Sequence, residues 1–270
     1  HCMLWGGSRS GKTFLIVRKI VERALKCQSR HAILRFRFNH VIASVAMDTL
    51  PKVMKICFPG AIGKLDKQLW CYRLPNGSEI WFGGLDEKER TEKILGQEYV
   101  SVYLNECSQI PLSSRDIAVT RLAQKTGLPL KMYYDCNPPS KAHWAYQVFY
   151  QHREPESKQP LADQHLFGVV KINPRDNVEN LAGDYIRELE NQSGRMRRRF
   201  LEGEYGEVAP GALWTEEMID KYRTDGDEEL PDMQRIVISV DPSGASEEDN
   251  KENDEIGIAV IGLGVDGRAY

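Results

Sequence analysis

Eight consecutive residues near the amino end, Gly6-Gly7-Ser8-Arg9-Ser10-Gly11-Lys12-Thr13, match G-x-x-x-x-G-K-[ST] at every fixed position. The glycines let the backbone curl so that successive N–H groups point inward, an arrangement that cradles phosphate oxygens. A helix opening at Lys12 adds the positive end of its dipole. In such a loop the lysine reaches the β- and γ-phosphates and the hydroxyl of Thr13 is offered to Mg²⁺. A chance Gly/Ser turn before a helix is the plain alternative, but the loop has the context that phosphate binding requires, an apolar strand before it and an amphipathic helix after it. Arg9, within the loop, has two readings: a cis arginine that stabilises transition-state charge, or a solvated side chain.

Hydrolysis needs a second strand whose end delivers acid beside the loop, one group for the metal's water shell and one to polarise the attacking water. Residues 100–104 are a short apolar run ending in Asn105-Glu106. Glu106 is the candidate general base, and an ordinary acid near a helix start is its plain alternative. Asn105 stands where Asp is usual. It has an acceptor oxygen but no charge, so either it touches the metal's water weakly or another acid helps. Asn137 follows a further apolar strand and reads as a γ-phosphate sensor or as an Asn-Pro turn.

These residues imply a framework. Residues 2–5 form a strand, 14–26 a helix with Ile16, Ile20, Val21 and Leu25 at helical spacing, and 32–38 a strand; a helical stretch over 41–50 is expected to break at Pro51. Residues 69–74 and 78–82 flank Pro75-Asn76-Gly77 and predict a hairpin. Further strands are expected at 100–104, 130–135 and 166–172, a helix at 184–200, and a Gly/Pro-marked linker from 203. A new strand over 235–240 closes on Asp241, and a polar loop leads to a strand over 256–263 and a turn at Asp266-Gly267. Strands alternating with helices give an α/β fold with a mostly parallel sheet covered on both faces.

Composition narrows the class. The chain has 270 residues, 41% hydrophobic and 28% charged, enough apolar content for a core, and no apolar run approaches a membrane span. The net charge of −3 hides an asymmetry. Residues 1–210 hold 31 Lys/Arg and 23 Asp/Glu, giving +8, whereas residues 211–270 hold 5 and 16, giving −11. Opposite signs point to two domains with different jobs. Much of the acidity lies in runs at 225–229 and 247–255 that carry no evident chemistry. The run Arg195, Arg197, Arg198 and Arg199 reads as charge complementing a helix end, with Glu202 and Glu204 as partners, or as a lid or neighbour contact. Six singly spaced cysteines form no zinc framework and fit a reducing compartment. The start at His1, directly before the loop, predicts no signal peptide and a chain cut from a larger protein.

The order of motifs resembles the large terminase subunit of tailed bacteriophages, a DNA-packaging ATPase and nuclease. The resemblance lies in GGSRSGKT, LRFRF, LPNGSEIWFGG, ILGQEY, VYLNE, YYDCNPPSKAHW, RRRFLEGEYGEVAPGALW and VISVDPSG, and covers nearly the whole chain. It implies a P-loop (ASCE/RecA-like) NTPase over residues 1–202, a linker over 203–234, and the start of an RNase H-like α/β nuclease at 235–270. ATP and Mg²⁺ would bind at Lys12 and Thr13, Glu106 would activate water, Asn137 would belong to the coupling segment, and Arg121 would be a sensor or trans-acting arginine. Asp241 would be the first ligand of a nuclease Mg²⁺ or Mn²⁺, with Asp254 a helper or a loop residue. The other nuclease acids would lie beyond Tyr270 and the adenine-contacting segment before His1, so this piece would not cut DNA. Implied partners are double-stranded DNA, a portal protein, a small terminase subunit and further copies in a ring, in the host cytoplasm and away from membranes. The competing readings are another P-loop DNA-dependent ATPase such as a helicase, and a nucleotide-binding protein with impaired hydrolysis, for which Asn105 is the support.

Overall fold

The computed structural model describes residues 1–86, 96–206, 216–222, 230–241 and 257–270. The chain divides into two compact units, His1–Leu213 and Trp214–Tyr270. Asp254, both acidic runs and the first two residues of ILGQEY lie outside the described residues.

The first unit is built on eight strands: β1 (Cys2–Trp5), β2 (Arg30–Arg35), β3 (Lys64–Asp66), β4 (Cys71–Arg73), β5 (Glu79–Gly84), β6 (Ser101–Leu104), β7 (Lys131–Cys136) and β8 (Gly168–Lys171). Their order in the sheet is β3-β4-β5-β2-β6-β7-β1-β8. From β5 to β8 every pairing is parallel, and only β3, β4 and β5 pair antiparallel at one edge. The hairpin around Asn76-Gly77 is thus present as β4–β5. Because side chains alternate across a strand, Ala32 and Leu34 enter one core with Val102, Leu104, Met132 and Tyr134. Ile33, Tyr103 and Tyr133 enter the other. Helix α1 (Lys12–Lys26) buries Ile16, Val17, Ile20 and Val21 in the second core. Trp144, Ala145, Val148 and Phe149 of a helix over 144–151 fill the first.

Two helices differ from expectation. The helix after β2 does not stop at Pro51 but runs from 38 to 57, with a π-helical stretch at Ile42–Thr49. The Leu50 N–H bonds back five residues to Val45, and Pro51 sits in the first turn of the following α-helical segment (Leu50–Cys57), so the wider turn absorbs the missing donor. The helix expected over 184–200 is two: Tyr185–Glu190, then a second over 194–202 that starts after Ser193. The basic run therefore lies inside the second helix, where Arg197 pairs with Glu202 at 3.3 Å. Tyr205 and Gly206, in the expected linker, pack on the first unit: Tyr205 lies against Trp5, Tyr146 and Tyr150, and Gly206 N–H donates to Pro139.

The second unit carries a helix (Glu216–Tyr222) and an antiparallel pair, β9 (Met233–Asp241) and β10 (Gly257–Gly264). Apolar residues on both faces of the pair, among them Val237, Ile238, Val260 and Ile261, are exposed. A strand pair apolar on both faces is the pattern of a sheet covered on both sides.

His31 on β2 is fully buried, with its Nε2 3.0 Å from Ser29 Oγ. Burial, helped by the nearby Arg23 charge, lowers its pKa to about 3. Between that value and the unfolded value of 6.5 only the unfolded chain takes up the proton, so this contribution is present above pH 6.5 and is lost as pH falls. His31→Gln should therefore shrink the loss of stability between pH 6.5 and 5 by about 1.5 kcal/mol, read from urea midpoints.

Candidate functional site

The sheet order puts β6, β7 and β1 side by side. Their carboxyl ends are where an open α/β sheet binds ligands. The loop of residues 6–13 leaves β1, Asn105 and Glu106 leave β6, and Asp135, Cys136 and Asn137 close β7. These ends line one cavity of about 530 Å³, together with Arg35, Ser44, Lys52 and Asn177.

The loop holds its curl through backbone geometry. Gly11 caps α1 in the left-handed region at φ 87°, which a glycine takes without Cβ strain. Arg9 also has a positive φ, 57°, at the exposed tip, and its carbonyl accepts from Asn177 Nδ2 at 2.9 Å. The amides of Gly7 and Ser8 are engaged from outside the loop, by Asn173 Oδ1 at 3.1 Å and the Phe200 carbonyl at 2.7 Å. Behind them Gly203 ends the 194–202 helix at φ 60°, so close that a Cβ there would lie 2.6 Å from the Gly6 Cα. The first amides of α1 have no partner within the helix, and Lys12, Thr13 and Phe14 line the cavity. The first turn itself carries no acidic residue.

Lys12 is 7% exposed. Its Nζ lies 2.6 Å from the Gly7 carbonyl, 3.2 Å from that of Gly6, 3.1 Å from Ser10 Oγ and 3.2 Å from Asn137 Oδ1. Burial lowers its pKa, and the charges of Asp135 and Glu106 act in the opposite direction. The ammonium thus sits among neutral acceptors that a phosphate can replace.

Asp135 is the site residue that the sequence reading missed, although an unidentified further acid was one of its alternatives. It is 2% exposed. Its Oδ2 accepts from Thr13 Oγ1 at 2.9 Å, and its Oδ1 accepts from Asn105 Nδ2 at 3.0 Å and from the Glu106 amide at 2.7 Å. Asn105, also 2% exposed, donates as well to Tyr103 Oη at 2.9 Å. Its NH₂ must face Asp135, because two acceptor oxygens at this separation would repel. Glu106 has a left-handed backbone, φ 51° and ψ 53°. Strain of this kind in a non-glycine residue gathers at functional sites. Its Oε2 forms an ion pair with Arg35, whose Nη1 also donates to Ser44 Oγ at 3.1 Å. Arg35 lay unremarked within LRFRF; only the β2–β6 pairing brings it to Glu106.

Ser8, Arg9, Ser10, Gly11, Lys12, Thr13, Asn105, Glu106 and Asn137 therefore come together, with Gly6 and Gly7 anchoring the loop behind them. Arg121 does not join them. Its carbonyl accepts from Tyr99 N–H ahead of β6, at the opposite edge of the sheet. Asp241 is in the second unit, paired with Gly257.

The family "Terminase large subunit, T4likevirus-type, N-terminal" matches residues 3–221. Among solved structures, the large terminase of a thermophilic bacteriophage in complex with ADP is 17% identical, with TM-score 0.63 over 97% of this chain and 60% of that one. A second crystal form of the same phage protein gives 16%, 0.65, 97% and 59%. The ATPase domain of the Thermus phage P74-26 large terminase is 14% identical, with TM-score 0.51 over 76% of this chain and 88% of that one. No curated protein matches the chain in sequence. At such identities the likeness is one of fold, a RecA-like P-loop architecture, and the chain spans about 60% of the length of the thermophilic-phage terminase. With the family matched over most of its length, the chain belongs to the terminase large subunits.

Proposed function

We propose that the chain is the ATP-hydrolysing motor part of a viral genome-packaging enzyme that drives double-stranded DNA into a prohead. The convergence of the loop, Glu106 and Asn137 at three adjacent strand ends carries this reading. The thermophilic-phage and P74-26 proteins, as large terminases, support it, and the former binds ADP. The working assembly is a ring of copies on a portal, fed by a small terminase subunit, in the host cytoplasm. The net +8 of residues 1–210 suits contact with DNA phosphates.

In this mechanism the α1 amides and Lys12 take the phosphates, and Lys12 exchanges the Gly6 and Gly7 carbonyls for phosphate oxygens. The Thr13 hydroxyl and the carboxylate it touches are hard oxygen donors that fit Mg²⁺. Bound there, Mg²⁺ supplies charge neutralisation to the phosphates. Glu106 accepts the proton of the attacking water through the oxygen that Arg35 does not hold. Arg9 faces the cavity in cis, and Arg121, which does not line it, is the candidate to act on a neighbouring copy's nucleotide. Asn137 touches Lys12, and the segment after it binds Gly206 through Pro139, so a displaced Lys12 pulls on the chain that leads to the second unit. In that unit β9 and β10 begin an RNase H-like nuclease in which Asp241 is a ligand for Mg²⁺ or Mn²⁺.

Glu106→Gln should keep ATP affinity within a few-fold and lower kcat by about 10²–10⁴. Lys12→Ala should abolish ATP binding and turnover together. Steady-state ATPase assays paired with nucleotide-binding isotherms read both, and full turnover in either variant contradicts the assignment. In the complete protein, Asp241→Ala should abolish metal-dependent DNA cleavage and leave ATPase intact; loss of ATPase with cleavage retained contradicts the division of labour.

A further inference from the structure

We propose that the buried carboxylate serving the nucleotide's divalent cation comes from Asp135 on β7 and not from residue 105 on β6, a proposal that rests on reading the loop as an ATP site. In P-loop NTPases an acid from a neighbouring strand holds the metal opposite the loop's Ser/Thr hydroxyl. Here the β6 position carries an amide, Asn105, at 2% exposure. One strand across, Asp135 is equally buried and its Oδ2 is 2.9 Å from the Thr13 hydroxyl oxygen. The buried negative charge thus stands one strand across from Asn105, within hydrogen-bond distance of the hydroxyl.

The pairing with Asn105 shows why the exchange must be reciprocal. The Asn105 amide and the Asp135 carboxylate are 3.0 Å apart. With no cation between them, two carboxylates at that separation repel and one holds its proton. The pair tolerates one negative charge, and an acid on β7 calls for a neutral donor on β6. Asn105 is then the positioning residue: its NH₂ and the Glu106 amide both hold Oδ1, which leaves Oδ2 turned toward Thr13. Both residues line the cavity with Lys12, and Asp135 is the strongest of the charges that favour the buried ammonium. Asn105 in this setting is no sign of lost hydrolysis.

A merely structural Asp135 would affect folding but not the response to metal, so metal response is the readout. ADP is titrated calorimetrically into the full chain in Mg²⁺ and in EDTA. Wild type should bind more tightly with Mg²⁺. Asp135→Asn should lose about tenfold or more of that tightening, read as the ratio of its affinities in the two buffers. The exchange Asn105→Asp with Asp135→Asn should restore the tightening, because one charge and one amide remain in the pair. If Asp135→Asn does not fold, the exchange variant carries the test. Full Mg²⁺ tightening in Asp135→Asn, or a folded exchange variant without it, overturns the proposal. A wild type that binds ADP with no response to Mg²⁺ overturns it while sparing the ATP site, and a wild type that binds no ADP in either buffer overturns the ATP site itself.

Discussion

Two opposite charges are buried together at the carboxyl edge of this sheet, the Lys12 ammonium and the Asp135 carboxylate. Burying either one unpartnered costs several kcal/mol, on the order of the penalty for any desolvated ion. The structure meets that cost with neutral acceptors around Lys12 and with three donors, the Thr13 hydroxyl, the Asn105 amide and the Glu106 N–H, on Asp135. Those partners come from β1, β6 and β7, so the site exists only because the sheet places these strands side by side. The parallel topology is in this sense an electrostatic requirement as much as a packing solution.

The same constraint explains where the backbone is strained. Arg9 and Glu106 take left-handed conformations, and each is tied down by a bond from outside its own turn, Arg9 by Asn177 and Glu106 by Asp135. The far side of the loop is fixed by Asn173, Phe200 and Gly203, from the end of the first unit's chain. A loop gripped from both sides is preorganised for phosphate, and anything that shifts Lys12 is felt through Asn137 and Pro139 at Gly206.

Much of this was legible in sequence because it is local. Strand alternation, the Asn-Gly turn and the spacing of Gly6, Gly11, Lys12 and Thr13 depend on neighbours along the chain, and they predicted the sheet and the loop. The helix through Pro51 was not legible, since a π-helical stretch that absorbs a proline has no simple periodicity. Asp135 and Arg35 escaped for a different reason. Each looks like an ordinary charged residue at a strand end, and its meaning comes from the strand beside it: β7 between β6 and β1, β2 beside β6. The one available signal for Asp135 was the uncharged Asn105, which raised help from another acid as one of its readings.

Charge, hydroxyl and base at this edge form one unit that meets at Asp135. Locating Mn²⁺ by anomalous scattering in crystals of the ADP complex tests it most directly. A peak is expected on the Thr13 and Asp135 side of the cavity, with Lys12 Nζ moved from the Gly7 carbonyl to phosphate. A peak against Asn105, with Asp135 still bonded only to Thr13, Asn105 and the Glu106 amide, would contradict it.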